Sequence, residues 1–476
     1  TLIHRGPDNC GVFYIDNIAL GHRRLSIVDL SVDGHQPMHY MDKYSIVFNG
    51  EIYNYLELRD ELTSHGYRFN SKTDTEVIMA AYNLWGVSCL HHFNGMWAFA
   101  IYDREKKEVF CARDRFGVKP FYYRNDTNGF IFASEIKAIL CYNQAPRANT
   151  ARLIENIVSG CFDHTDETMF EDIKQLSPGH CLKIKIEDSH LEIKQWYNLY
   201  DIKRNKNSYK ENVIKFRELF IDSVKLRLRS DVPVGSCLSG GLDSSSIVCT
   251  VSMLLKEHEV NAGQKTVSSC YDASDEKAYD EQEYIDEVID ITGLDAEKTY
   301  PKLDTFIEEL DKVIYHLDEP VGGILHASHW SVFETAKKIG LKVMLDGQGS
   351  DEQLAGYTPF YSVMIKEYLK KFQFISAIRE MYYYIKLRNH TEPLGLKYTI
   401  WLIVKDFIPQ SLRSFLFRNA TSDIRDIILK VPFNKDLLER IGAHKDFDIY
   451  AKNSMRYGLV QLLHYEDRNS MAHTIE

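Results

Sequence analysis

A chain of 476 residues is too long for one ordinary hydrophobic core, so two or three domains are expected. Hydrophobic residues at 44% and charged residues at 26% fit a soluble globular protein. The net charge of −11, from 57 basic and 68 acidic residues, gives no electrostatic basis for binding nucleic acid. The nine cysteines are odd in number and include no C-x-x-C pair. They read as reduced thiols of a cytosolic protein, not as a disulfide frame or a zinc site. No apolar run is long enough to span a bilayer. The opening "TLIHRGPD" lacks the charged head and apolar stretch of a signal peptide, and both ends read as cut.

In chain order, residues 1–140 show short β-type runs between Gly, Asn and Asp turns. "YSIVFNG" (44–50) ends a strand at Asn-Gly, a turn signal. "NYLELRDELTSHG" (54–66) predicts a helix stopped by glycine, and 74–92 a second helix. "MWAFAIYD" (96–103) is nearly continuous in apolar residues, as in a strand buried on both faces. "EVFCARD" (108–114) and "GFIFASE" (129–135) follow at hairpin spacing, and 180–199 predicts a closing hairpin. The polar stretch 200–212 marks a domain boundary. Beyond it the pattern alternates. A helix over 212–230, a strand over 232–239 and a helix over 243–258 are followed by a strand over 265–272 and a helix over 279–293. A helix over 328–340 and a strand over 341–347 complete the alternation, which predicts a parallel sheet. Residues 360–460 read as mostly helical.

The run "LSGGLDSSS" (238–246) lies between a strand and a helix of that parallel region. Ligands of such sheets bind beyond the carboxyl ends of the strands, where a helix start offers free N–H groups. Gly240 and Gly241 let the backbone approach an anion, and Ser239, Ser244, Ser245 and Ser246 add hydroxyls. No lysine follows, so this is not a Walker A loop. Asp243 would repel phosphate unless a cation such as Mg²⁺ lay between them. Taken alone, the run is explained equally well by a helix cap at a glycine turn.

The rest of the chain decides. "SGGLDSS" after an apolar strand resembles the pyrophosphate loop of ATP pyrophosphatases. With "MLDGQGSDEQLAGY" (344–357), "DEPVGG" (318–323) and "YEDRNSMAHTIE" (465–476), the chain resembles the glutamine-dependent asparagine synthetases. The resemblance implies that Ser239, Gly240, Gly241, Asp243 and Ser244 hold the pyrophosphate part of ATP. Asp243 and Asp351 fall at the Mg²⁺ ligands, and Cys237 and Ser269 beside the adenosine part. Asp346 and Gly347 fall at a further ATP contact. The chain departs from several members at Gln348, where they carry a glutamate associated with forming the acyl-adenylate, and at Asp346, where they carry serine. Gln348 can hydrogen-bond but cannot act as a base. A bacterial branch shares the Asp-Gly-Gln form, and its acceptors are more varied.

In the front half, "HRGPD" (4–8), "GHRRLSIVDL" (21–30), "FNGEIYNY" (48–55), "KTDTEV" (72–77) and "ARDRFGVKPFYY" (112–123) resemble glutaminase domains with an N-terminal nucleophile. The resemblance implies an oxyanion hole from Asn49 and Gly50, and glutamine binding by Arg24, Asn49, Gly50, Glu51 and Asp74. Arg24 suits a carboxylate and Asp74 an ammonium. The nucleophilic cysteine that opens the family is absent from this chain, and Cys10 does not take its place.

The expected architecture is α+β then α/β. An αββα glutaminase sandwich (1–199) precedes a parallel-sheet ATP-pyrophosphatase domain with a helical C-terminal part (209–476). The expected activity is ATP-dependent amidation of aspartate with glutamine as nitrogen donor, through an acyl-adenylate. The acceptor could instead be another carboxylate, such as a sugar acid or a secondary metabolite, or the chain could be a non-catalytic nucleotide-binding homologue. ATP and Mg²⁺ are implied, with a cytoplasmic homodimer as the family expectation and no nucleic-acid or membrane partner. His316, His326 and His329, near Asp318 and Glu319, read as a pocket wall more readily than as a metal site. The aromatic, basic stretch 374–417 reads as a helical insertion rather than a membrane-surface segment.

Overall fold

The computed structural model describes residues 1–15, 17–142, 145–187, 190–257, 264–271, 280–320, 323, 325–388 and 446–476. They form two compact units. The first comprises 1–146, 172–347 and 462–476, and the second 147–171 and 348–461.

The first unit begins with a hairpin, β1 (Asn9–Ile15) and β2 (Ile18–Arg24). Strands β3 (Met38–Tyr40), β4 (Tyr44–Ile52), β5 (Gly95–Asp103) and β6 (Glu108–Arg113) build an antiparallel sheet. β10 (His180–Lys185) and β11 (Leu191–Gln195) complete it, in the order β11-β10-β6-β5-β4-β3. Helices α1 (Tyr55–Ser64) and α2 (Asp74–Trp85) cover one face, where Phe48, Phe99 and Phe110 meet Leu58, Leu62 and Val77. On the other face Val47, Ala98 and Ala100 meet Leu20, Phe121 and Tyr123. Neighbours along one strand thus serve opposite cores, which is why 96–103 reads as an unbroken apolar run.

A second, three-stranded sheet, in the order β8-β7-β9, is made by β7 (Tyr122–Asp126), β8 (Gly129–Ala133) and β9 (Lys174–Gln175), followed in part by α3 (Ile136–Leu140). The hairpin partner of 129–133 is therefore β7, which periodicity did not reveal, and not β6. The helix expected over 74–92 stops at Trp85. Gly86 takes a φ of +57°, and a 3₁₀ segment follows.

The same unit holds the parallel sheet. α5 (Tyr209–Arg227) starts three residues before the expected 212, because Ser208 and Glu211 form a capping box. It leads to β12 (Val234–Cys237), α6 (Leu242–Glu257), β13 (Lys265–Ser269) and α7 (Gln282–Thr292). β14 (Asp295–Thr299), α8 (Leu303–Leu317), α9 (Leu325–Lys338) and β15 (Val343–Leu345) follow. All strand pairs are parallel, in the order β14-β13-β12-β15. The sheet grows from β12 toward β14 and then reverses to place β15 on the other side, so its switch point lies between β12 and β15. Beyond β15 the chain end adds a strand-like contact. Met344 N–H donates to the Glu476 carbonyl at 2.9 Å, and Glu476 N–H donates to the Lys342 carbonyl at 2.9 Å.

The second unit is mainly helical among its described residues. It contains α4 (Thr150–Ser159), α10 (Ser350–Leu354), α11 (Thr358–Lys370), α12 (Phe374–Arg388) and α13 (Phe447–Asn453). Of the stretch 374–417, the first part is the helix α12, and 389–417 lies outside the described residues. A last helix, α14 (Leu459–Ala472), carries the chain to its C-terminal segment. No helix of the described residues is long and apolar enough to cross a membrane.

Candidate functional site

The antiparallel part of the first unit encloses a cavity of about 330 Å³, lined among others by Arg24, Asn49, Gly50, Glu51 and Asp74. All five residues expected to bind glutamine therefore face one space. Arg24 closes β2 and is buried. Its guanidinium donates to the Ser31 carbonyl at 2.9 Å and the Val28 carbonyl at 3.3 Å, and also to the Asp29 carbonyl. These three contacts fix the plane of the group and leave donors for a carboxylate, since a guanidinium carries five N–H groups. A Cβ on Gly34 would overlap this guanidinium.

Asn49 and Gly50 lie within β4. The Asn49 amide nitrogen is buried without a hydrogen-bond partner, so it is available to an oxygen atom in the cavity. Gly50 has a φ of +138°, and a Cβ there would overlap the Met96 carbonyl across the β4–β5 pair. Any other residue would be strained as well as clashing. Asp74 opens α2, and its carboxylate accepts from the Ile52 N–H at 2.9 Å. Burial pushes its carboxyl up to about 6. Burial, followed by the charges of Asp74 and Glu476, holds the Glu51 carboxyl well above the usual carboxylate range. This favours its neutral form.

Two cavity residues had no assigned role in the sequence reading. Gln36 Oε1 accepts from the Phe48 N–H at 2.7 Å and so braces the strand just before Asn49. His22 Nε2 lies 2.9 Å from the Phe48 carbonyl, and burial lowers its pKa to about 4. The quoted motif "GHRRLSIVDL" contained His22, but nothing local to it predicts this contact. None of the nine cysteines lines the cavity. The thiols of Cys89, Cys111 and Cys181 are held in the core, with pKa values raised by burial.

The cavity is also lined by Arg5, Met471 and Glu476. Around them the start and end of the chain interlock. Arg5 makes two 2.8 Å bonds to the Asp467 carboxylate and a 3.1 Å bond to Glu135. Lys137 lies 2.5 Å from Glu135 and 3.0 Å from Asp318. Asp318 also accepts from the N–H groups of Ile136 and Lys137. The Arg468 guanidinium donates to the Ser134 carbonyl at 3.0 Å. Burial alone would raise the Asp467 carboxyl, but the Arg5 guanidinium overrides this and holds it at about 2. Three motifs read separately in the sequence, 4–8, 318–323 and 465–476, thus contribute to one buried ionic cluster.

At the parallel sheet, the loop after β12 runs through Ser239, Gly240 and Gly241 into α6. Gly240 takes a φ of +80°. Ser244 Oγ accepts from the Ser239 N–H at 3.1 Å and lies 3.0 Å from Ser239 Oγ. The Gly241 N–H donates to Ser239 Oγ at 3.3 Å. The two hydroxyls therefore hold the loop in a closed turn. Ser246 departs from expectation. Its hydroxyl donates at 2.6 Å to the Leu242 carbonyl, one turn back in its own helix. Ser245 Oγ is buried without a hydrogen-bond partner. Asp243 lies in the first turn of α6.

The loop after β15 carries Asp346 and Gly347. A Cβ on Gly347 would stand 3.1 Å from Asp243 Cβ and 3.4 Å from Ser244 N, so the two loops touch across the switch point. Ser269 ends β13, the neighbour of β12, with its hydroxyl buried and unpartnered. Cys237 ends β12. Burial, with the charges of Asp346 and Glu466, raises its thiol well above the ordinary value. Gln348 opens the last part of the second unit, and Asp351 lies in the first turn of α10, its carboxyl raised by burial. The three histidines weighed as a group do not converge. His316 packs edge-on against His4, His326 against Tyr465, and His329 against Glu466.

Comparison with known proteins identifies the family. A family model described as a glutamine amidotransferase domain matches residues 1–197, and one described as asparagine synthase matches residues 215–476. The chain is 36% identical over 392 residues to a putative glutamine-hydrolyzing asparagine synthetase 2 of Methanocaldococcus jannaschii, covering 77% of this chain and 73% of that one. It is 34% identical over 357 residues to glutamine-hydrolyzing asparagine synthetase 1 of Bacillus subtilis, covering 75% and 54%. It is 30% identical over 377 residues to amidase chry2 of Gibberella zeae, covering 77% and 55%. The matches thus span between about half and three-quarters of these relatives' own lengths. The chain belongs to the asparagine synthase family, with a glutamine amidotransferase domain ahead of the synthase domain.

Proposed function

We propose that the chain carries the glutamine-binding and carboxylate-activating parts of a glutamine-dependent enzyme that activates a carboxylic acid with ATP and converts it to the amide. Aspartate is the proposed acceptor, and asparagine, AMP, pyrophosphate and glutamate the products. Residues 1–199 form the amide-donor domain and 209–476 the adenylating domain. The observation that carries this reading is the contact of two strand-end loops at the switch point of the parallel sheet, within the same unit as a cavity lined by Arg24, Asn49 and Asp74.

In the donor cavity, Arg24 takes the glutamine carboxylate and Asp74 its ammonium. The Asn49 amide and the Gly50 N–H stabilise the oxyanion that forms at the side-chain amide. Ammonia released there passes to the synthase domain. At the sheet edge, Ser239, Gly240, Gly241 and Ser244 hold the β and γ phosphates at the start of α6. Cys237 and Ser269 flank the adenosine, and Asp346 and Gly347 give a further contact.

Asp243, an acidic residue at an anion-binding helix start, fits a hard cation between itself and phosphate. Mg²⁺ bound there would neutralise phosphate charge. The acceptor carboxylate attacks the α phosphorus, pyrophosphate leaves, and ammonia then displaces AMP.

A second reading keeps this chemistry but changes the acid. Gln348 and the similarity to a fungal protein named an amidase favour it. The test is the full-length protein with Mg-ATP, ammonia and a panel of carboxylic acids, with the amide product identified by mass. Asparagine from aspartate supports the first reading. An amide from another acid alone supports the second. No amide from any acid contradicts both.

A further inference from the structure

α9 lies across the carboxyl ends of β13 and β14. The Tyr271 hydroxyl, just past β13, is 2.9 Å from Ser328 Oγ, and Thr299, the last residue of β14, is 2.5 Å from Ser331 Oγ. Between these anchors, His329 Nδ1 stands 3.0 Å from the Glu466 carboxylate of α14. The carboxylate is 16% exposed and the imidazole 39%, so the acid is largely withdrawn from water while the ring stays reachable. Glu466 and Asp346 both act on Cys237, where the nucleotide loop begins. With α9 anchored at Ser328 and Ser331 to the ends of β13 and β14, the pair belongs to the sheet edge at which ligands of such folds bind.

Amide formation at that edge has a proton to place. The ammonia nitrogen attacks the acyl carbon, the N–C bond forms, the C–O bond to phosphate breaks, and AMP leaves with the electron pair. Nitrogen arrives with three hydrogens and keeps two. Gln348 cannot take the third. An imidazole with Nδ1 beside a carboxylate can carry its proton on Nδ1 and keep the Nε2 lone pair for another.

We propose that His329, oriented by Glu466, is the general base of the amide-forming step and receives this proton on Nε2. The proposal rests on the adenylate reading above. Burial pulls the pKa of the imidazole down, and the Glu466 carboxylate more than offsets it, for a net rise. Among the described residues, the titratable groups that act on the pair include His326 on α9 and Cys237 at the end of β12. Burial pushes His326 down to about 4, so it adds no positive charge near neutral pH.

The test uses the full-length protein with ammonia as nitrogen donor and two readouts, acid-dependent ATP–pyrophosphate exchange and amide formation. H329Q is expected to keep exchange within about twofold while amide formation, measured at a constant concentration of unprotonated ammonia, falls roughly 10²–10⁴-fold and loses the acid limb of its pH profile. E466Q, which removes the charge that raises the histidine, is expected to move that limb to lower pH. Equal losses in both readouts, or unchanged amide formation, in H329Q overturns the proposal. Absence of exchange in the unmodified protein with every acid overturns the adenylate reading itself.

Discussion

The proposed donor cavity and the proposed nucleotide edge hold their polar groups in opposite ways. In the cavity, Asn49 is fixed in β4, between β5 and the edge strand β3 of a sheet packed on both faces, and its amide nitrogen has no partner. Arg24 is clamped by three carbonyls, and Gly50 cannot gain a methyl group without striking the next strand. At the edge, Ser239 and Ser244 bond to each other and to the loop backbone. The first site is preset, with donors waiting. On the proposed reading the second exchanges internal hydrogen bonds for bonds to its ligand. Substitutions in the cavity should therefore remove function with little reorganisation, whereas those at the edge should also change how the loop rests.

The largest effect should come from D243N at the edge, made, like the variants below, in the full-length protein. Acid-dependent ATP–pyrophosphate exchange should fall by about 10³-fold or more if the carboxylate holds the cation, with glutamine hydrolysis unchanged. A comparable fall in both activities would show that the two sites are not separable. In the cavity, N49A should lower glutamine hydrolysis by about 10²–10³-fold, as expected for one oxyanion donor. Ammonia-dependent amidation, measured in the same preparation, should stay intact.

D467A sharpens the comparison from between the two regions. It leaves Arg5 buried without its two bonds and should cost about 3 kcal/mol in urea unfolding. In the unmodified protein the Asp467 carboxyl sits at about 2, below its unfolded value. Its contribution is therefore complete above about pH 4 and is lost as pH falls toward 2. Stability measured over that window should fall more steeply in the unmodified protein than in D467A.

The smallest effect concerns pH and glutamine. The Asp74 carboxyl lies at about 6, and only its charged form attracts an ammonium. The KM for glutamine should rise as pH drops below 6, by up to about tenfold per pH unit. The ammonia-driven reaction should lack this feature.

What the sequence made legible follows the same division. β5 was readable because both of its faces are buried, and the β12–α6 junction because two glycines and a run of serines interrupt the strand-to-helix change. Edge strand β14, "DAEKT", was not readable, because with one side open it needs little apolar content. Helix α8 buries Phe306, Val313 and Leu317, a helical spacing that the reading passed over. The bracing of β4 by Gln36 and His22 and the pairing of Arg5 with Asp467 depend on contacts across 12 to 462 residues. No local pattern encodes such contacts. Ser246 shows the converse, since its type suited the loop but its position one turn into α6 gave its hydroxyl a carbonyl of the helix itself.

The most direct test of the central claim is to follow the phosphorus products by ³¹P NMR in the full-length protein, supplied with Mg-ATP, ammonia and each candidate acid. The account predicts AMP and pyrophosphate in equal amounts, formed only when a suitable acid is present, because the loop after β12 retains the β and γ phosphates while the α phosphate goes to the acid. ADP and inorganic phosphate as the products would contradict it.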